Sequence, residues 1–226
     1  MMNQIEIPRK IPFMTLGSAV LFPQAMMPLY IFEPRYRKML AEVLSGERVF
    51  AVAAIDDSDE SAIAMETPCS IAGVGIVRAC KRNGDGSANL IIQGLARVEF
   101  EEIITEEPFR TARIHQVMSE RGGSDATFNS IQASLVGLIQ TQIRLGAEIP
   151  PEVIQFLKNI SEPENVLDLA IYTLCSSSRL KQELLETRGV VPRYEKFQRF
   201  LRAEIESLKL DQKLKGELDD DGIGKN

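Results

Sequence analysis

His115 is the only histidine in this chain, Cys69, Cys80 and Cys175 are its only cysteines, and Ser178-Arg179-Leu180-Lys181 spells a Ser-x-x-Lys tetrapeptide. Their types suit proton transfer, metal binding or acyl transfer, yet each lacks what that chemistry requires. His115 stands beside Ile114 in a run that reads as a strand, with no identifiable partner to orient it as a general base. The cysteines are odd in number, widely spaced and form no CxxC pair. They support neither a disulfide framework nor, with one histidine, a tetrahedral zinc site, so a reduced, cytoplasmic compartment is expected. The Ser-x-x-Lys pattern is missing its companion motifs, and its serine run reads as a helix N-cap.

Phosphate and cation sites fare no better. Gly73-Val74-Gly75 lacks the third glycine of a dinucleotide loop and reads as a bulge or a close strand approach. No GxxxxGK[ST] occurs, so ATP binding through a P-loop is excluded. The carboxylates of Asp56-Asp57-Ser58-Asp59-Glu60 lack the spacing and central glycine of a calcium loop and read as a solvated loop. The expectation is no catalytic residue, no metal and no cofactor.

What remains is apolar. Met26-Met27-Pro28-Leu29-Tyr30-Ile31-Phe32 carries no charge, and a strand alternates its side chains between two faces. Either this strand is buried twice or one side is an open apolar surface. Methionine is polarizable and adaptable, which suits a surface for varied peptides. The plain alternative is a strand roofed by the helix that follows it.

The elements around this run divide near residue 120. Before it the chain reads as strands: 11–14, 26–32 with Pro28 marking an edge or a strand start, 49–55 buried on both faces, 70–82 and 88–93 flanking the turn signal Asn83-Gly84, then 97–104 and 111–117. Glu33 to Ser45 is the exception. Pro34 suits a first helical turn, Tyr36, Met39, Leu40, Val43 and Leu44 share a face, and Gly46 can close the helix. Beyond Ser119–Asp125, a polar stretch with two glycines, everything reads as helix, ending in a long segment with Tyr194, Phe197, Leu201, Ile205 and Leu208 near a heptad seam. The domains expected are a β module over 1–118, a linker over 119–125, a helical bundle over 126–215 and a disordered tail over 216–226.

Composition agrees with a globule: 44% apolar, 26% charged, net charge −6 over 226 residues. Cut at Met118, the two portions carry −3 each (12 Lys/Arg against 15 Asp/Glu, then 14 against 17), so neither is a basic module for a phosphate backbone. No window of about 18 apolar residues exists to span a membrane. The amino terminus has neither the basic nor the apolar region of a secretory signal.

Ile11-Pro12-Phe13-Met14, Val20-Leu21-Phe22-Pro23 and Pro28-Leu29-Tyr30-Ile31-Phe32-Glu33-Pro34-Arg35-Tyr36 together resemble the opening of the Lon amino-terminal, substrate-binding domain. Gly73-Val74-Gly75-Ile76-Val77 and the segment from Asp85-Gly86 to Gln93-Gly94-Leu95-Ala96-Arg97 are similar to its later strands. Ile149-Pro150-Pro151-Glu152-Val153, Ile160-Ser161-Glu162-Pro163, Leu167-Asp168, Lys181 to Glu186 and Glu204-Ile205-Glu206 continue the likeness in order, over about residues 9 to 215. The resemblance implies an α+β fold: a PUA-like β pseudo-barrel with one inserted helix, followed by an all-α helical bundle. It also implies a role in capturing unfolded or degron-bearing polypeptides. The family's ATPase module and Ser–Lys peptidase module, related to peptidase family S16, have no counterpart in the sequence, whose end reads as a natural terminus.

The expected function is therefore non-catalytic, Lon-type recognition of exposed apolar polypeptide segments, as an adaptor in proteolysis with a protease or chaperone as partner. Met26, Met27, Tyr30 and Phe32 are the candidate contacts, with Arg35 at the rim for acidic clients. Self-association is compatible with this reading and a membrane is not. An RNA-binding module is the alternative, since PUA-like folds also serve RNA, and the negative charge disfavours it. A fragment of a complete protease, and an enzyme in its own right, rank behind.

Overall fold

In the computed structural model, residues 6–220 are described, with side chains through Leu214. Six strands and seven helices follow in the order β1 (Lys10–Leu16), β2 (Met26–Ile31), α1 (Pro34–Ser45), β3 (Val49–Ala54), α2 (Glu60–Ala64), β4 (Ile71–Arg82), β5 (Ala88–Thr105), β6 (Thr111–Val117), α3 (Asp125–Arg144), α4 (Glu152–Lys158), α5 (Pro163–Leu174), α6 (Ser178–Glu186) and α7 (Val190–Asp220).

One sheet contains all the strands, in the order β2-β5-β4-β3-β1-β6, and β5 pairs again with β6. The circuit β5-β4-β3-β1-β6 is thereby closed, and β2 is left at the open edge. β1 and β3 run parallel; the other pairings are antiparallel. The length of β5 makes this arrangement work. Its first half pairs with β2 through Met26↔Gln93 to Ile31↔Ala88, and its second half pairs with β6 through Arg97↔Val117 to Thr105↔Thr111.

Two apolar layers fill the fold. Small side chains line the inside of the circuit, among them Ala51, Ala53, Ala72, Val74, Ala96 and Ala112, packed around Phe13. Outside it, α1 lays Tyr36, Met39, Leu40 and Val43 on Met27, Ile31, Phe50, Val52, Leu90 and Ile92. Burying each such large side chain contributes about 1.5–3 kcal/mol. β3 lies between the layers and is buried at every position, as its unbroken apolar run requires. Tyr36 ties α1 to β1: its hydroxyl donates to the Thr15 carbonyl at 3.1 Å and accepts from the Thr15 amide at 3.2 Å. Burial raises that phenol's pKa.

The glycines of the first half serve close approach. A Cβ on Gly73 would collide with the Leu21 carbonyl, and one on Gly94 with the Phe22 carbonyl. The register shift between Val74 and Gly75 adds the bulge expected there.

The structure corrects several sequence readings. The carboxylate run ends in a helix, because the Asp59 side chain accepts the Ala62 amide at 2.7 Å and caps α2. The β portion thus holds two inserted helices. Strands 88–93 and 97–104 are one strand, β5, carried through Gly94.

The chain divides into two compact units that differ from the domains expected. The first comprises 1–120 and 171–188, the second 121–170 and 189–226. α6 therefore belongs with the sheet, where the Arg97 Nε donates to the Leu185 carbonyl at 3.0 Å and the Gln182 amide to the Ile71 carbonyl at 2.9 Å. In the second unit, Ser124 caps α3 by accepting the Thr127 amide at 3.2 Å. α7 buries Tyr194, Phe197, Leu201 and Ile205 along one stripe. α7 also runs into the first residues of the stretch read as a disordered tail, and 221–226 lie outside the described residues.

Candidate functional site

Strand alternation sorts the candidates of the Met26–Phe32 run. Met27 and Ile31 turn inward under α1, at 6% and 1% exposure, while Met26 at 48% and Tyr30 at 53% turn outward. Phe32, just past β2, is 60% exposed, and its ring stacks on Tyr30 with centroids 5.7 Å apart at 27°. Met27 is thus a core residue, and the sequence candidate list is corrected there: α1 covers one side of the strand and leaves the other open.

Neighbouring strands widen the exposed face. Pro28 pairs with Ile91 of β5, which pairs with Ala79 of β4, and Tyr30 pairs with Asn89, which pairs with Lys81. These six residues line an open groove of about 510 Å³. Ile91 is 40% exposed, a large apolar side chain directly beside Pro28. At the far end of the groove the Tyr30 hydroxyl donates to Ser87 Oγ at 3.1 Å, fixing the ring against the β4–β5 hairpin. At the near end Arg78 Nε donates to Gln93 Oε1 at 2.7 Å.

The edge of β2 is less open than its face. Pro28 has no N–H to offer an added strand, and the Tyr172 hydroxyl occupies the Met26 carbonyl at 3.2 Å. An incoming segment therefore finds apolar side chains across the face and few backbone partners along the edge.

Arg35 is committed elsewhere. Its guanidinium grips Glu66 with two hydrogen bonds of 2.6 and 3.0 Å, meets Glu33 at 2.9 Å and lies 4.5 Å from the Tyr36 ring centroid. The Glu66 hydrogen bond raises the Arg35 pKa, and the same contact holds the Glu66 carboxyl below its ordinary range. This clamp ties the start of α1 to the segment after α2, so Arg35 does not stand free for an acidic client as the sequence suggested.

Sequence reading missed Ile91, Ala79 and Lys81. The alternation of Asn89 and Ile91 against Leu90 and Ile92 was available, but only the β2–β5–β4 register places those outward residues beside Tyr30.

The chemical candidates stay apart from this face. His115, on β6, lies 3.2 Å from Glu99 and 3.1 Å from Glu101 beside a polar cavity of about 690 Å³. The Cys69 thiol is pushed up to about 11 by burial and by Glu186, Asp56 and Asp57, which disfavours the nucleophilic thiolate at neutral pH. Lys181 lies 5.3 Å from the Tyr172 ring centroid. Ser177, one residue before the Ser-x-x-Lys serine, caps α6 by accepting the Leu180 amide at 3.2 Å. Among the described residues no group of three or more His, Cys, Asp or Glu could hold a metal ion. Among those residues no helix is long and apolar enough to cross a membrane.

Residues 10–203 match the sequence model of the ATP-dependent protease La (LON) substrate-binding domain. A Lon protease of Desulfosudis oleivorans is 27% identical over 219 residues, and one of Flavobacterium johnsoniae is 27% identical over 210. The alignments take in 96% and 92% of this chain but 26% of either relative, so the chain spans about a quarter of their length. The N-terminal domain of the Mycobacterium avium complex Lon protease superposes with a TM-score of 0.65 at 16% identity, covering 87% of this chain and 98% of that one. A Lon N-terminal domain protein from Xanthomonas campestris gives 0.56 at 18% identity, covering 83% and 96%. Both likenesses bear on the fold.

Proposed function

The chain belongs to the LON substrate-binding domain family, and from that premise we propose that it captures polypeptides by their exposed apolar segments, on the outward face of β2, β5 and β4, and catalyses no reaction itself. The observation that carries this reading is the contiguous exposure of Met26, Tyr30, Phe32 and Ile91 on a face whose reverse side is fully packed. The outer faces of these rings are left in water, and a client that covers them removes apolar area from solvent. The closed five-strand circuit reads as the PUA-like pseudo-barrel of the family and supplies a rigid base for that face. The matched region is the substrate-binding portion of an ATP-dependent protease, so nucleotide hydrolysis and peptide cleavage reside outside these residues. An adaptor role beside a protease or chaperone fits that division. Its three free cysteines suit a reducing compartment.

Affinity for any one segment is modest in this reading, because ordering a flexible client offsets most of the burial gain. Titration of unfolded casein should give saturable binding that Tyr30→Asp, Phe32→Asp or Ile91→Asp weakens about tenfold or more, with the circular dichroism of the wild type retained. Equal binding by all three variants would remove this face from the site. Met27 is unsuited to the test, since Met27→Asp buries a charge.

The Tyr30–Phe32 stack, with Lys81 across the groove from Tyr30, gives an RNA-binding reading structural support, since aromatic rings also stack bases. The net charge of −6 opposes it.

A further inference from the structure

The charges around the apolar face narrow the class of polypeptide it takes, given the reading above. Lys81 lies on the outward face, one register step beyond Asn89 and Tyr30. The next residue, Arg82, lines a second cavity of about 470 Å³ together with Arg37 and Lys38 of α1. That cavity borders the tip of the same hairpin: it is lined by Gly86, against which the Arg37 guanidinium packs, while Tyr30 holds Ser87. All four cations are exposed and none is in a close ion pair among the described residues, though the Ser87 hydrogen bonds that hold the Asp85 carboxyl below its ordinary range are helped by nearby Arg37. The nearby carboxylate, Asp85, is engaged by the Ser87 amide at 2.9 Å and the Ser87 hydroxyl at 2.6 Å. In a chain of net charge −6, Lys81 at the end of the apolar groove and Arg82, Arg37 and Lys38 on the α1 side of the same hairpin make a local excess of positive charge.

We infer that this face takes polypeptides in which an apolar, aromatic-containing stretch is flanked by acidic residues. The apolar stretch covers Met26, Pro28, Tyr30, Phe32 and Ile91. The flanking carboxylates meet Lys81 at the end of the groove and, where the segment passes the hairpin, Arg82, Arg37 and Lys38 on the α1 side, the role the sequence had given to Arg35. Each exposed charge pair adds little alone, but four of one sign steer encounter and select among apolar clients. The selection weakens as salt shortens the Debye length to about 8 Å near physiological strength.

The test uses fluorescein-labelled peptides that share one Phe- and Leu-containing apolar core and differ only in a flank of Asp, Ser or Lys residues. Anisotropy titrations at low salt should rank them Asp, Ser, Lys, with the Asp peptide about tenfold tighter than the Ser peptide. The ratio should shrink toward one at high salt and in a Lys81→Gln/Arg82→Gln variant. Equal binding of the three peptides overturns this inference and leaves the apolar reading standing. No binding by any of them, with casein binding also insensitive to Tyr30→Asp, overturns both. A single-stranded oligonucleotide that binds more tightly than every peptide and is displaced by none overturns the inference in favour of nucleic acid.

Discussion

Arg193 is fully buried in α7, and its environment is built to hold a charge. One of its amino groups, Nη1, donates to Asp168 at 2.8 Å and to Glu164 at 3.0 Å, and Asp168 is itself buried. A buried guanidinium that loses its partner costs far more than the intact pair contributes. Asp168→Ala should therefore lower stability by about 3–5 kcal/mol in urea denaturation, and an added Arg193→Met should recover much of the loss. A single variant within about 1 kcal/mol of wild type would contradict this. The sequence named Asp168 only within the Leu167-Asp168 pair and gave no hint of its partner, which lies 25 residues on in a different helix. Arg35 teaches the same lesson: its charge was legible, but its clamp on Glu66 depends on where α2 ends.

Local chemistry fixed the elements more fully than the partners. α1 was readable from the spacing of Tyr36, Met39, Leu40 and Val43, and the β4–β5 hairpin from Asn83-Gly84. β5 was divided in error because Gly94 looks like a strand end. Its glycine answers instead to the Phe22 backbone that crosses it, a non-local demand that no window around residue 94 contains. Gly94→Ala should push that crossing segment off the sheet and cost about 2 kcal/mol, measured as a lower thermal midpoint. An unchanged midpoint would mean the segment yields freely. α2 escaped notice because one turn carries too little periodicity to register, although its cap, Asp59, stood in plain view.

At the scale of the whole molecule, the change from strands to helices near residue 120 was legible, yet the compact units cross it. α6 is helical by its own sequence and belongs to the sheet by packing, through Leu184 and Leu185 and the bonds to Arg97 and Ile71. A chain ended after Glu120 should lose amide protection along Ile71–Val74 in hydrogen exchange, while the full chain keeps it; equal protection would show the sheet to be self-sufficient. The candidate site was half legible for a related reason. Alternation marked Met26, Tyr30 and Phe32, but which side of β2 is covered depends on α1, and which neighbours extend the face depends on register. The blunted rim of β2 has one further consequence. A molecule that handles sticky, partly unfolded chains risks becoming the seed on which they stack into fibrils, and Pro28 with Tyr172 withholds the backbone ladder that such growth would copy.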